Sequence, residues 1–299
     1  MTARIGDHIQ HQRLLQDVAT TRARMHRTQT AVASGKTSQR FDEIADRAAL
    51  LLAARQDRTM VEARIRRNEE LLGRLRAMDG AVASLSDIAE RARVLVLRRL
   101  EPGTGDALPL DTEVEAMLEQ VQAELNQEFG GVYVFAGSRT DAPPVALPDP
   151  PPTTADSSLY YQGDEVTLTA SVDAGVELRY GVTAADPAFA RLIGSLGAAR
   201  EAHLSGDEDG LRNALSGLTL AIEEIADLRG EIGANMSRLE GIVDAQRGEQ
   251  TYLQEVVSRI EDTDVPEALT SLARDQMLLE AAFVTISRMA RLTLSEYLR

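Results

Sequence analysis

The 299-residue chain has no cysteine and no tryptophan, four histidines, and aromatics at only 4%. Without cysteine there are no disulfides and no thiolate metal ligands, a composition open to exported and cytosolic proteins alike. The shortage of aromatics removes the stacking platform of a single-strand nucleic-acid binder and thins any hydrophobic core. No apolar run approaches the roughly 20 residues that span a bilayer. The first residues, MTARIGDHIQHQ, lack the apolar stretch of a cleaved secretory signal, so any export would need another route.

Catalytic chemistry is equally sparse. His8 and His11 share a helical face, but neither they nor His26 and His203 fall in a metal-ligand spacing with acids. No nucleophile elbow, zincin motif, phosphate-binding loop or dinucleotide fingerprint occurs. Carboxylates are so numerous that choosing an acid/base pair would be arbitrary. The expectation is a protein that is not an enzyme and uses no cofactor and no metal.

Alanine, leucine, arginine and glutamate fill the chain, the composition of long helices. Charge is uneven: residues 1–100 hold 19 basic and 12 acidic side chains, the remainder 13 and 35, within a net charge of -15. The basic third could lie against acidic helices or meet another subunit, although solvated helix faces would show the same pattern.

The clearest signal lies at the two ends. Leu14, Val18, Thr21, Met25, Thr28 and Val32 follow steps of four and three, and so do Leu269, Leu272, Gln276, Leu279, Phe283, Ile286, Ala290, Thr293 and Tyr297. Such steps make a narrow helical seam. Thr, Gln and Ala among its members weaken it, which suits helices that order on assembly and also suits half-buried surface helices. Leu14, Val18, Met25, Val32, Leu272, Leu279, Phe283, Ile286 and Tyr297 are therefore the candidate assembly seam.

Between the ends, the spacing predicts a helix over 5–33 stopped by Ser34-Gly35-Lys36, and one over about 45–100, a rod of which about 50 residues would span about 75 Å. A shorter helix should start from a capping box at Thr112 and Glu115, and a long one should cover 210–261. Asp264 is read as the cap of the last helix, with Pro266 in its first turn. Residues 132–135, 166–172 and 176–180 read as strands, the last two joined by a tight turn at Asp173-Ala-Gly175. Residues 141–154 carry six of the ten prolines and should form an extended connection. Gly230 and Gly233, beside Arg229, Asn235 and Arg238, would permit close approach of another helix.

The expected fold is mainly α: an elongated antiparallel long-helix bundle with terminal coiled-coil helices and a small inserted β-rich domain. Its parts would be terminal helices (1–40 with 264–299), a long-helix region (41–130 with 186–263) and the insert (131–185).

Several segments carry a resemblance. Val32 to Lys36, with Ser34, Gly35 and Lys36, resembles the segment after the first helix of bacterial flagellins and their hook-associated relatives. Asn126 to Thr140, including Tyr133, Phe135 and Gly137, resembles the turn into the outer domain of the relatives that join hook to filament. Tyr161 to Asp164 resembles the next landmark; Arg229 to Leu239 with Gly233 and Asn235, Arg259 to Asp264, and Leu292 to Leu298 extend the likeness to the C-terminus. Phe41 to Asp46 departs from it, keeping acids but lacking the proline usual there.

The resemblance implies a structural subunit exported unfolded by an uncleaved N-terminal signal and built into the flagellum at the hook–filament junction by helical self-assembly. It implies as partners other copies of the chain, a second hook-associated junction protein, flagellin and an export chaperone, with no nucleic acid and no membrane insertion. A flagellin-type filament subunit and a cytosolic coiled-coil binding module are the alternatives.

Overall fold

A computed structural model describes residues 2–37, 45–101 and 109–297, with side chains placed for 12–37, 47–101 and 109–288. The fold is mainly helical: α1 (Thr2–Ser34), α2 (Ala45–Arg99), α3 (Leu110–Leu125), α4 (Pro187–Ser205), α5 (Glu208–Glu261) and α6 (Val265–Tyr297). Four short strands lie between α3 and α4: β1 (Glu128–Phe129), β2 (Val132–Tyr133), β3 (Thr169–Asp173) and β4 (Val176–Arg179). The chain divides into two compact units, residues 61–248 and residues 1–60 with 249–299. Phe41 to Ile44 of the departing segment, and the side chains of His8, His11 and Tyr297, lie outside the described residues.

In the unit of residues 61–248, one face of α2 buries Leu71, Leu75, Met78, Val82, Leu85, Ala89, Ala92 and Val96, the three-and-four spacing of a core stripe. It meets a matching stripe of α5 in one cluster that includes Leu211, Leu218, Ile225, Ile232 and Leu239. Ion pairs run in descending order along the two helices, Glu69–Arg247 (2.7 Å), Arg76–Glu240 (2.9 Å) and Asp79–Arg229 (3.0 Å), so the helices are antiparallel. Exposed pairs of this kind add little stability. Residues 131–185 feed the same cluster with Phe135, Tyr160, Val172, Leu178 and Tyr180.

The strands form two antiparallel hairpins, β1–β2 and β3–β4. Gly130 and Gly131, at φ 62° and 80°, make the two-residue turn of the first, a conformation that side-chain-bearing residues rarely adopt. Strand pairing in this hairpin stops at Tyr133, short of the expected 132–135. Val134 and Phe135 are instead both buried at 1% and 0% exposure, because packing against the helices outweighs alternation. A buried amide pair holds the second hairpin to the helices: Asn68 Nδ2 donates to Val172 O (2.8 Å) and Gln246 Oε1 (2.9 Å), and Gln246 Nε2 donates to Val172 O (3.0 Å).

Helix ends follow local chemistry. Asp186 accepts from Ala188 N at the start of α4, and Asp264 accepts from Glu267 N at the start of α6. The expected capping box at Thr112 does not start α3. That helix begins at Leu110 after Pro109 without a side-chain cap, and it buries Leu110 completely.

In the other unit, α1 and α6 pack antiparallel, with Arg24 beside Asp275 and Arg22 over the Phe283 ring at 5.1 Å. Their connections to α2 and α5 clasp each other. Thr37 N donates to Glu261 O (2.7 Å), Thr263 N to Gly35 O (2.9 Å), and Thr37 Oγ1 to Asp262 O (2.9 Å). Arg55 and Lys36 both pair with the Glu261 carboxylate. Leu51, Ala54, Leu253, Val257 and Ile260 are buried in this unit as well.

Candidate assembly surface

On α1, Val18 is buried, and Leu14, Thr21, Met25, Thr28 and Val32 are half-buried between exposed neighbours. On α6, Leu279 is buried and Leu272 and Ile286 are half-buried, whereas Leu269, Gln276 and Phe283 are exposed. The face of α6 turned inward runs Ala268, Leu272, Asp275, Leu279, Ala282 and Ile286, also in steps of four and three. Three of the six expected α6 positions that are described, Leu269, Gln276 and Phe283, thus stand about 60–100° around the helix from the face that packs on α1.

The reason is Asp275, which is 2% exposed and receives both arms of one guanidinium: Arg24 Nε to Oδ2 at 2.8 Å and Nη2 to Oδ1 at 2.5 Å. The hydrogen bonds from Arg24 hold the Asp275 carboxyl below its usual range and raise the guanidinium. A pattern built from apolar residues passes over an aspartate. The pairing becomes legible when Asp275 is placed midway between Leu272 and Leu279.

The opposite side of α6 is open. Met277 is 70% exposed and Val284 52%, and Leu269, on the flank between this side and the inward face, is 49% exposed. Leu269, Thr270, Ala273, Arg274 and Met277 line a shallow groove of about 560 Å³. Met277 and Val284, one heptad apart, place two large apolar side chains in water on this side of α6.

The motif residues divide into three groups. Ser34, Gly35, Lys36 and Asp264 stand at or beside the clasp, Gly35 with φ 71°. Asn126 lies just beyond α3 and holds the proline-rich segment from both sides, its Nδ2 donating to Val145 O (2.8 Å) and its Oδ1 accepting from Val145 N (2.9 Å). Phe135 meets Phe189 edge to face at 5.8 Å. Tyr133 hydrogen-bonds Glu128, which raises its phenol pKa.

Gly137 has φ 69°, and a Cβ there would stand 2.2 Å from Asp164 Oδ1. The Asp164 carboxylate accepts from Ser138 N (2.8 Å), Ser138 Oγ (2.5 Å) and Val166 N (3.1 Å), which together lower its pKa. The Asn126–Thr140 and Tyr161–Asp164 segments, separate in sequence, are thereby one folded corner. Tyr161 completes it by donating to Asp164 O at 2.5 Å; burial pushes its phenol up to about 12.

Arg229 pairs with Asp79 on α2, and Asn235 Nδ2 donates to Arg179 O on β4 (3.2 Å). A Cβ at Gly230 or Gly233 would meet nothing within 4 Å, so neither glycine serves close helix packing in this chain. Among the described residues no group of three or more histidines and carboxylates could hold a metal ion, and no helix is long and apolar enough to cross a membrane.

Comparison with known proteins agrees with this architecture. Residues 215–298 match the bacterial flagellin C-terminal helical region. The flagellin of Bacillus subtilis is 23% identical over 220 residues, covering 70% of each chain. Among solved structures, a putative flagellar hook-associated protein from Vibrio parahaemolyticus superposes with TM-score 0.64 at 15% identity, covering 74% of this chain and all (100%) of that one. FlgL of Bacillus cereus gives 0.57 at 18%, covering 70% and 99%. Hook-associated protein 3 from Legionella pneumophila gives 0.53 at 12%, covering 70% and 98%. These structural likenesses establish the fold, and the sequence likeness to flagellins lies in residues 215–298 and in the 220 residues aligned with the Bacillus subtilis protein.

Proposed function

We propose that the protein is a structural, non-enzymatic subunit of the bacterial flagellum that joins hook to filament by helical self-assembly through α1 and α6. The observation that carries this reading is the two-sided α6, with one apolar face on α1 and the exposed Met277 and Val284 on the side turned away from it. A lone subunit gains nothing from that second face, whereas a subunit with neighbours buries it. The likeness to hook-associated structures supports the junction, and the flagellin match over 215–298 supports the wider flagellar role.

The partners in this reading are further copies of the chain, a second hook-associated protein, flagellin, and a chaperone before export. The three regions would be terminal helices for contacts between subunits, a long-helix region, and the inserted 131–185 segment. Immunolabelling of intact flagella on the organism that encodes the chain tests the reading. Label confined to the hook end is the expected result. Label along the whole filament would replace the junction role with that of a filament flagellin, and a protein found only inside the cell would overturn both.

A further inference from the structure

α1 ends and α6 begins at the clasp, so whatever holds the clasp sets the starting point of both helices. There the connections after α1 and after α5 cross, with Lys36 opposite Asp262 in an antiparallel bridge and backbone bonds from Thr37 N and Thr263 N running in opposite directions. Glu261 takes part in it three times. Its carbonyl, one of the groups that a helix end leaves without an internal partner, accepts from Thr37 N at 2.7 Å. Its carboxylate, on a side chain only 12% exposed, pairs with Lys36 of the α1–α2 connection at 3.6 Å and with Arg55 of α2. One residue at the end of α5 thus fastens both the α1–α2 connection and α2 to itself.

Taken alone, a carboxylate has the wrong charge for this place. Glu261 is the last residue of α5, where the helix dipole favours cations. Two cations from separate segments offset that cost, and they do so against a carboxylate mostly withdrawn from water, where a pair counts for more than on an open surface. The seam itself depends on little: among the described residues of α1 and α6, Val18 and Leu279 are the buried apolar side chains. Two marginal helices pair far more readily when their roots are already joined, because much of the entropy of bringing them together has been met at the joint.

We propose that Glu261 is a keystone, a positioning residue that fastens the roots of α1 and α6 together so that the two helices pair as a consequence of the clasp. The inference goes beyond the flagellar role, since it concerns the free chain before any neighbour is present. It gives the terminal pair a defined starting geometry that its thin seam does not supply.

Glu261→Gln tests it, because this change keeps the size of the side chain and removes its charge. For a residue that only ends a helix, the change relieves an unfavourable interaction with the dipole, and amide protection in α1 and α6 would hold or rise. The keystone predicts the opposite sign: exchange in residues 18–32 and 272–286 of the free chain should become at least about tenfold faster, with residues 71–239 unchanged. Lys36→Met with Arg55→Met should produce the same loss from the side of the cations. Adding Glu261→Met to those two should recover part of the protection, because no charge is then left stranded.

Unchanged protection in α1 and α6 with Glu261→Gln, or loosening confined to residues 35–37 and 261–263, would overturn the keystone. So would equal loosening of residues 71–239, which would make Glu261 a support of the whole chain. Absence of protection in α1 and α6 of the unchanged protein would overturn it as well, since the clasp would then pair nothing. Every reading is taken on the free chain, so failure of the keystone and failure of the flagellar role are separate results.

Discussion

The helical core of residues 61–248 and the α1–α6 pair solve the burial problem in opposite ways. The first buries Phe135, Phe189, Leu75, Met78, Leu85, Leu192 and Ile193 almost completely. The second buries Val18 and Leu279 as its only fully buried apolar side chains among the described residues of α1 and α6, together with a charged aspartate. At about 1.5–3 kcal/mol for each large apolar side chain taken from water, the core stabilises itself while the terminal pair depends on little. Apolar surface is not in short supply on α6; it faces outward. In the proposed reading, a filled core serves folding and an unfilled face is held for a neighbour.

The contrast can be broken first where the core is fullest. Phe135→Ala removes a fully buried ring and its edge contact with Phe189, and should cost about 3–5 kcal/mol in urea unfolding. A loss under about 1 kcal/mol would mean that the core is far looser than its burial implies. Next comes the corner between the two segments flanking the proline-rich run. Gly137→Ala forces a side chain into positive φ and onto Asp164, for an expected loss of about 1–3 kcal/mol by thermal melting. Gly230→Ala on α5 has open space and ordinary helical geometry, and should be neutral or stabilise by up to about 1 kcal/mol.

Acid separates the two regions by a different route. Asp275 is held below its ordinary carboxyl range, chiefly by the Arg24 hydrogen bonds. A group depressed in the folded state lends stability above its unfolded value of about 3.9, and that stability is lost as pH falls through the folded value. Titration below about pH 4 should therefore loosen the α1–α6 contact, and Asp275→Asn should abolish this part of the response. Amide exchange in α1 and α6 against that in residues 71–239 follows it. An acid response of the terminal pair unchanged by Asp275→Asn would remove the ion pair from the account.

Much of this architecture was legible in the sequence because local chemistry governs it. Asp264 caps the helix it precedes, Gly175 lies in the turn between β3 and β4, and the long α2 and α5 periodicities mark their core faces. What sequence missed depended on tertiary partners. Asp275 sits in a seam position that polarity argues against, and only Arg24, 251 residues away, makes it tolerable there. Val134 and Phe135 are buried on both sides, so alternation overstated the strand. Thr112 matched a cap that burial of Leu110 bypassed, and Asn68 with Gln246 gave no signal before Val172 was placed between them.

The most direct test of the outward face is Met277→Glu combined with Val284→Glu. Both residues are more than half exposed, so the melting of the free chain should stay within about 0.5 kcal/mol of the unchanged protein. Incorporation into flagella, followed by immunolabelling at the hook end, should be lost. Normal incorporation with both charges in place would contradict the claim that this stripe of α6 is reserved for a neighbouring subunit.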